Sequence, residues 1–408
     1  MPSSLSIRFE HLFLINFHRF IHDKEAVQIF KTCKTIYSHN YRRYAFKSVY
    51  PVGSFLHHKI PRLDNNRFIP KLVHLVGFNC GYRELASFAK ALEVNAVVTT
   101  IDFSLNDMGA LSISSLAKSL EVNESVTDIN LGYNKIGDSG VSSLAKALEM
   151  NKTVTKIDLA HNQIGDSGAS SLAKSLTVNK SLTTLYLYNN QIGDLGASSL
   201  AKALEVNKTL TNLNLDYNQI GESGASSLGK AIELNNTITT ISLEFNQIGA
   251  SGASSLAKAL KINRSVIDIY LRNNQIEASG ASSLAKALEM NKTVTKIDLG
   301  INQIGDTGAS SLAKALEVNQ TLITIYLSKN QIGDTGLFSL AKALEVNKTV
   351  TSIDLAHNQI GDSGASSLAK ALEVNEIVTG ISLHHNKIGD LGRFLLAKAL
   401  KATRVWIS

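Results

Sequence analysis

From Ile101 to Asn386 the pattern (Leu/Ile)-x-(Leu/Phe)-x-x-Asn returns every 28 residues without one insertion. Its asparagines stand at 106, 134, 162, 190, 218, 246, 274, 302, 330, 358 and 386. The stretch HNQIGDSGASSLAK occurs at 161–174 and again, unchanged, at 357–370. A period this strict argues against one globular core assembled from distant segments. Each unit must instead make the same contacts with the next. In the same register Val73, Leu75 and Phe78 form a degenerate first unit, with Phe78 where Asn belongs.

Within a unit, the two apolar residues alternate with polar ones, so a short strand puts them on one face. The Asn that follows is suited to bury its amide and satisfy backbone groups of the bend. GDSG then supplies turn and helix-start residues. Ala169, Leu172, Ala173 and Leu176 fall at i, i+3, i+4 and i+7, the apolar stripe of a helix. Asn179 and its equivalents are expected to close that helix in the left-handed conformation. One strand and one helix bury too little surface alone, so units are expected to stack, strands inside and helices outside.

These residues resemble the leucine-rich repeats of the ribonuclease-inhibitor type, which also end NOD-like receptors and form the Ran GTPase-activating proteins. The resemblance covers residues 73–400 and implies an α/β solenoid, a horseshoe of 28-residue strand–helix units with a parallel inner sheet. It divides the chain into a head, residues 1–71, one degenerate and eleven full repeats over 72–400, and a C-terminal cap, residues 401–408. Trp406 stands in a column that holds Val350 and Val378, and is expected to seal the last repeat.

The head differs in charge as well as pattern. It holds 12 Lys+Arg against 4 Asp+Glu, which leaves 29 against 30 in the rest of a chain of net charge +7. Its basic residues are mixed with Phe, Tyr and His in a helical pattern, which favours solvated surface over nucleic-acid binding. Three short helices are expected there, the first carrying Phe9, Leu12, Phe13, Phe17 and Phe20. The stretch from Phe13 to Tyr44 resembles a divergent F-box without the usual opening Leu-Pro. That resemblance implies a ubiquitin-ligase adaptor as partner of residues 1–71; a helical cap over the edge of the solenoid explains the head equally well. Cys33 and Cys80 cannot form a disulfide framework, and no apolar run is long enough to span a bilayer. With no clean signal-peptide core at the start, the expected address is the cytoplasm, with the nucleus left open.

Several apparent motifs are products of the repeat. GASSLGKA at 224–231 approaches a P-loop but aligns with a helix in every other unit and lacks the terminal hydroxyl residue. Nine Asn-x-Ser/Thr sequons, from Asn123 to Asn347, fall on the helix-ending asparagines. His18, His22, Cys33 and His39 match no recognised metal set, and His161, His357, His384 and His385 are scattered over the repeats apart from the last pair. No catalytic constellation recurs, so neither enzyme chemistry, nor a metal, nor a cofactor is expected.

Function is expected on the inner face, at the residues that flank the apolar pair of each strand. These change character in four consecutive units, where Tyr186, Tyr188, Asp216, Tyr217, Glu244, Phe245, Tyr270 and Arg272 stand. Adjacent strands lie about 4.8 Å apart, and aromatics with a few charges are the composition of interface hot spots. A second candidate is the outer face at Leu337, Phe338, Phe394 and Leu395, which replace the Ala and Ser of GASSLAK. The expected function is a non-catalytic scaffold holding a partner protein on its inner face. The F-box resemblance implies a substrate receptor of a cullin-type ubiquitin ligase. The alternatives are a GTPase-activating protein for a Ran-like GTPase, though no acidic tail follows the repeats, and a repeat-only relative of NOD-like receptors.

Overall fold

Every repeat folds as its pattern requires, a three-residue strand followed by a helix of 11–14 residues. The computed structural model describes residues 72–77, 82–401 and 406–407. The F-box-like head and Phe78 lie outside them. The chain divides into two compact units, one ending at Asn162 and one running from Gln163 to Ser408. In the first, Leu72–His74, Thr100–Asp102, Asp128–Asn130 and Lys156–Asp158 pair in parallel, Ile101 opposite Ile129 opposite Ile157. In the second, the same 28-residue register runs from Thr184–Tyr186 to Trp406–Ile407. The strand Trp406–Ile407 adds a last rung beside Gly380–Ser382. The expected leucine-rich-repeat solenoid of strand–helix units is the fold. None of the described helices is long and apolar enough to cross a membrane.

The core is the layer between sheet and helices. Leu185, Leu187, Ile192, Leu200 and Leu204, all within 1% of full burial, form one unit's share of it. Each such side chain contributes about 1.5–3 kcal/mol of burial. The expected helix stripe is correct, since Ala169, Leu172, Ala173 and Leu176 are all buried.

Strands of three residues make few hydrogen bonds, and polar side chains supply the remainder. Asn218, 7% exposed, donates from Nδ2 to Leu187 O at 3.0 Å in the preceding repeat and to Leu215 O at 3.0 Å in its own. Its Oδ1 accepts from Ile192 N–H at 3.0 Å, 26 residues upstream. Asn246 and Asn358 repeat the arrangement. The residue before each ladder Asn is turned into the left-handed region, among them Asn189, Tyr217, Phe245 and Ile301 at φ 52–57°.

The helix-ending asparagines do not adopt that conformation, contrary to expectation. Asn207 is extended, φ −70° and ψ 130°, and only 3% exposed. It forms a second ladder. Nδ2 donates to Leu176 O at 2.8 Å and Asn179 O at 3.3 Å, while Oδ1 accepts from Thr209 and Leu210 N–H. Two carbonyls of the preceding repeat would otherwise be buried without donors, so the amide is better used there than at a left-handed turn. Asn95 begins this series, and its buried Nδ2 finds no acceptor among the described residues.

GDSG and its equivalents open their helices as expected, at Asp166 and at Asp194, and make no side-chain cap there. Asp194 Oδ1 instead accepts from Gly221 N–H at 2.7 Å and Gly224 N–H at 2.9 Å of the next repeat. Asp166, Asp306, Asp334 and Asp362 do the same. Where the preceding repeat offers no Asp, the turn changes hand at Gly137, Gly249, Glu277 and Gly305, though not at Gly109. Gly249 follows Glu222 and takes φ +64°, donating instead to Asn274 O at 2.9 Å. Glu277 follows Ala250 and is forced to φ 59° although it is not glycine.

Replacing Asn218 by Ala strands the Ile192 N–H and leaves the Leu187 carbonyl with Asn190 Nδ2 as its remaining side-chain donor, and is expected to cost about 1–3 kcal/mol. Replacing the exposed Gln219 is expected to cost less than about 0.5 kcal/mol; urea unfolding of both variants checks the difference. Glu222→Asp is expected to rebuild the missing rung, adding about 1 kcal/mol and slowing hydrogen exchange at Gly252, while the Gly249 N–H trades the Asn274 carbonyl for the carboxylate. Unchanged exchange at Gly252 would refute the rung.

Candidate partner-binding face

On the sheet face of the Gln163–Ser408 unit the register sorts exposed positions into rows. Tyr188, Asp216, Glu244 and Arg272 occupy one row, after the second apolar residue. Asn189, Tyr217, Phe245 and Asn273 occupy the next, the left-handed row. Tyr186 and Tyr270 lie in a third row, separated by Asn214 and Ser242. The eight residues read from the sequence therefore share one face, but their side chains do different things.

Tyr217 and Phe245 stack with ring centroids 4.0 Å apart and planes 9° from parallel, and Tyr217 remains 48% exposed. Asp216 turns along the sheet. Its Oδ1 accepts from Ser242 Oγ at 2.6 Å and Glu244 N–H at 2.7 Å, and its Oδ2 from Asn214 Nδ2 at 2.8 Å. Burial pushes its carboxyl above the ordinary range, against the pull of these donors. Arg272 reaches across the next repeat to donate from Nη1 to Ser328 Oγ at 3.2 Å. It passes over Gly300, where a Cβ would stand only 2.7 Å from Nη1. Gly300 is the gap that this span requires. Tyr270 shares the ammonium of Lys296 with Tyr326, the ring centroids lying 5.1 and 5.3 Å from Nζ.

Glu244 is the group left over. No hydrogen bond or ion pair among the described residues uses its carboxylate. Burial pushes it up to about 7, helped by Asp216 and Asp298 and opposed by Arg272 and Lys296. A half-buried acid flanked by two further acids favours a cation supplied from outside.

Other positions escaped the sequence reading. Tyr133 and His161, in the first unit, stack at 3.9 Å at the equivalent left-handed positions of their own repeats. His357, described as scattered, is one strand from His385 and stacks on it at 4.2 Å. The signal for both was the 28-residue column, compared position by position. The outer-face candidate divides. Leu337 is fully buried and belongs to the core, while Phe338 and Phe394 are 49% and 67% exposed. The sequon asparagines are buried, and 224–231 lies inside the helix Glu222–Leu234.

The leucine-rich repeat family matches residues 122–145, 151–173, 178–201, 206–229, 234–257, 291–313, 318–341 and 346–369. With the stacked strand–helix units, these matches make the chain a leucine-rich repeat protein, and the fold is of the kind used to hold other proteins. Comparison with curated proteins finds no match. Among solved structures, a chain in the crystal structure of the Rad7 and Elc1 complex in yeast is similar over 100% of this chain and 98% of its own, at 12% identity and TM-score 0.51. That likeness is one of fold. LegL7 from Legionella pneumophila covers 71% of this chain and 93% of its own, at 19% identity and TM-score 0.44. The actin-binding site 2 of leiomodin-1 covers 35% and 84%, at 24% identity and TM-score 0.32.

The displaced carboxyl of Glu244 fixes the sign of a pH effect. Glu244 loses its proton near 4.5 when exposed and near 7 when folded, so the folded chain holds the extra proton between those values. Stability conferred by this site therefore falls as pH rises through that window. Glu244→Gln is expected to unfold at a higher temperature than the parent at pH 8 and at nearly the same temperature at pH 4. Equal differences at the two pH values would contradict the assignment.

Proposed function

We propose that this protein, of the ribonuclease-inhibitor type of leucine-rich repeat, is a non-catalytic cytoplasmic scaffold that takes a partner protein on the sheet face around Tyr217 and Phe245. The observation that carries this reading is the stacked, partly exposed ring pair at two consecutive left-handed positions. On either side Asn189 and Asn273 fill the same position with a residue that, glycine apart, is among those that tolerate it best. Two adjacent aromatics held rigidly from below are what an interface anchor requires. Glu244 beside them suits a basic side chain of the partner.

The resemblance of residues 1–71 to an F-box supports a finer reading: the head engages a cullin-type ubiquitin-ligase adaptor, and the sheet face presents the substrate. Removing residues 1–71 is then expected to release the adaptor while the sheet-face partner is retained.

Tyr217→Asn with Phe245→Asn separates recognition from stability. Loss of the stack, about 0.5–1.5 kcal/mol, is offset by relief of left-handed strain, about 1–2 kcal/mol per residue. Folding stability should therefore change by no more than about 1–2 kcal/mol. Affinity capture from native extract with the full chain and with the double variant identifies what the face holds. A protein that the folded variant loses, and then binds at least tenfold more weakly in titration, supports the reading. Capture of the same proteins in equal amounts by both would overturn it, and faster GTP hydrolysis by a Ran-like GTPase would replace it with GTPase activation.

A further inference from the structure

Three histidines meet on the sheet face of the last repeats, away from the aromatic pair. His357 and His385 occupy the left-handed position of adjacent repeats, at φ 56° and 57°. Their rings stack at 4.2 Å, 18° from parallel. His384 turns its ring nearly perpendicular to both, its centroid 5.2 Å from each. One ring nitrogen from each lies within 4.8 Å of the others, and all three residues are exposed. His384 Nδ1 is 2.9 Å from Ser382 Oγ.

We propose that His357, His384 and His385 form a binding site for a divalent transition-metal ion, zinc above all. Neutral imidazole is a preferred ligand of zinc, and three imidazoles leave a fourth position for water or a side chain from outside. With Zn–N of 2.0–2.1 Å, tetrahedral ligands stand about 3.4 Å apart. The rings must therefore close by about 1.4 Å at most, which rotation of exposed side chains supplies without moving the backbone. Calcium and magnesium are disfavoured, because they take oxygen ligands.

The surroundings favour the neutral ligand. Desolvation, then His385, Lys329 and His384, hold His357 below the usual imidazole range, with Asp354 acting in the opposite sense. Lys329, one strand away and exposed, also repels a bound cation, while the Asp354 carboxylate attracts it. Ser382 supplies the outer hydrogen bond that metal-binding histidines use to fix their tautomer. With Nδ1–H donating to its hydroxyl oxygen, His384 Nε2 is the ligating atom.

The test uses the full chain, stripped with chelator and titrated with zinc chloride by calorimetry, with cobalt(II) absorption as a second probe. Zinc should bind, raise the unfolding temperature and give the d–d spectrum of a nitrogen-ligated site. His357→Ala and His385→Ala should each weaken binding at least tenfold. Ser382→Ala, which removes no ligand, should weaken it about tenfold. His161→Ala, at the equivalent left-handed position of a repeat in the other unit, should leave it unchanged. The proposal is overturned if no zinc binds. It fails equally if the folded His357 and His385 variants bind zinc as the parent does, since the ligands then lie elsewhere in the chain.

Discussion

The asparagine carboxamide is small enough to be buried in a bend, yet it offers two donor hydrogens and two acceptor lone pairs. In this protein that capacity is divided between neighbouring repeats. Asn218 binds carbonyls in its own repeat and the one before, and accepts an N–H from the one before. Three-residue strands could not keep their register against slippage on backbone bonds alone. Because the partners lie 26 and 31 residues upstream, a single inserted residue within a repeat would misplace both bonds. Constant length is thus a requirement of hydrogen-bond satisfaction, and the left-handed residue before each Asn is its conformational consequence.

That geometry explains what could and could not be read from the residues in order. The strand, the helix stripe and the buried Leu and Ile positions follow from local alternation and spacing, and the structure agrees with them. The second asparagine was misread, and the bonds of the Asp of GDSG were not legible, for one common reason. Local rules send an Asn at a helix end into the left-handed region and an Asp at a helix start onto its own amides. In stacked repeats the nearest polar neighbour is a period away, and the buried carbonyls or amides of the adjacent repeat outcompete the local partner. Asn207 reaches Leu176, and Asp194 reaches Gly221.

The face of the sheet was legible to the same depth. Period and strand alternation were enough to place Tyr188, Asp216, Glu244 and Arg272 side by side. Which of them face outward was not legible, because it depends on neighbours in other repeats. Asp216 lies along the sheet because Ser242 and the Glu244 N–H stand beside it. Glu244 has no such donors and keeps an unpaired, half-buried carboxyl. Arg272 can span a repeat because Gly300 leaves the path clear.

The two identical stretches that begin at His161 and His357 carry this further. Their fourteen residues are the same and the two histidines take φ 54° and 56°, although Gln163 is left-handed at φ 58° and Gln359 is not. Yet His161 stacks on Tyr133, and His357 stacks on His385 beside His384. The chemistry of each place is set by a pair of repeats and belongs to neither alone. Duplication can therefore copy the scaffold without copying a site, because the ladders fix the backbone whatever side chain is displayed. Substituting one display residue creates a new neighbour pair at two edges at once, and no ladder bond is disturbed. A site in such a protein is found by reading across the repeats, one column at a time, since along the chain its members are 28 residues apart.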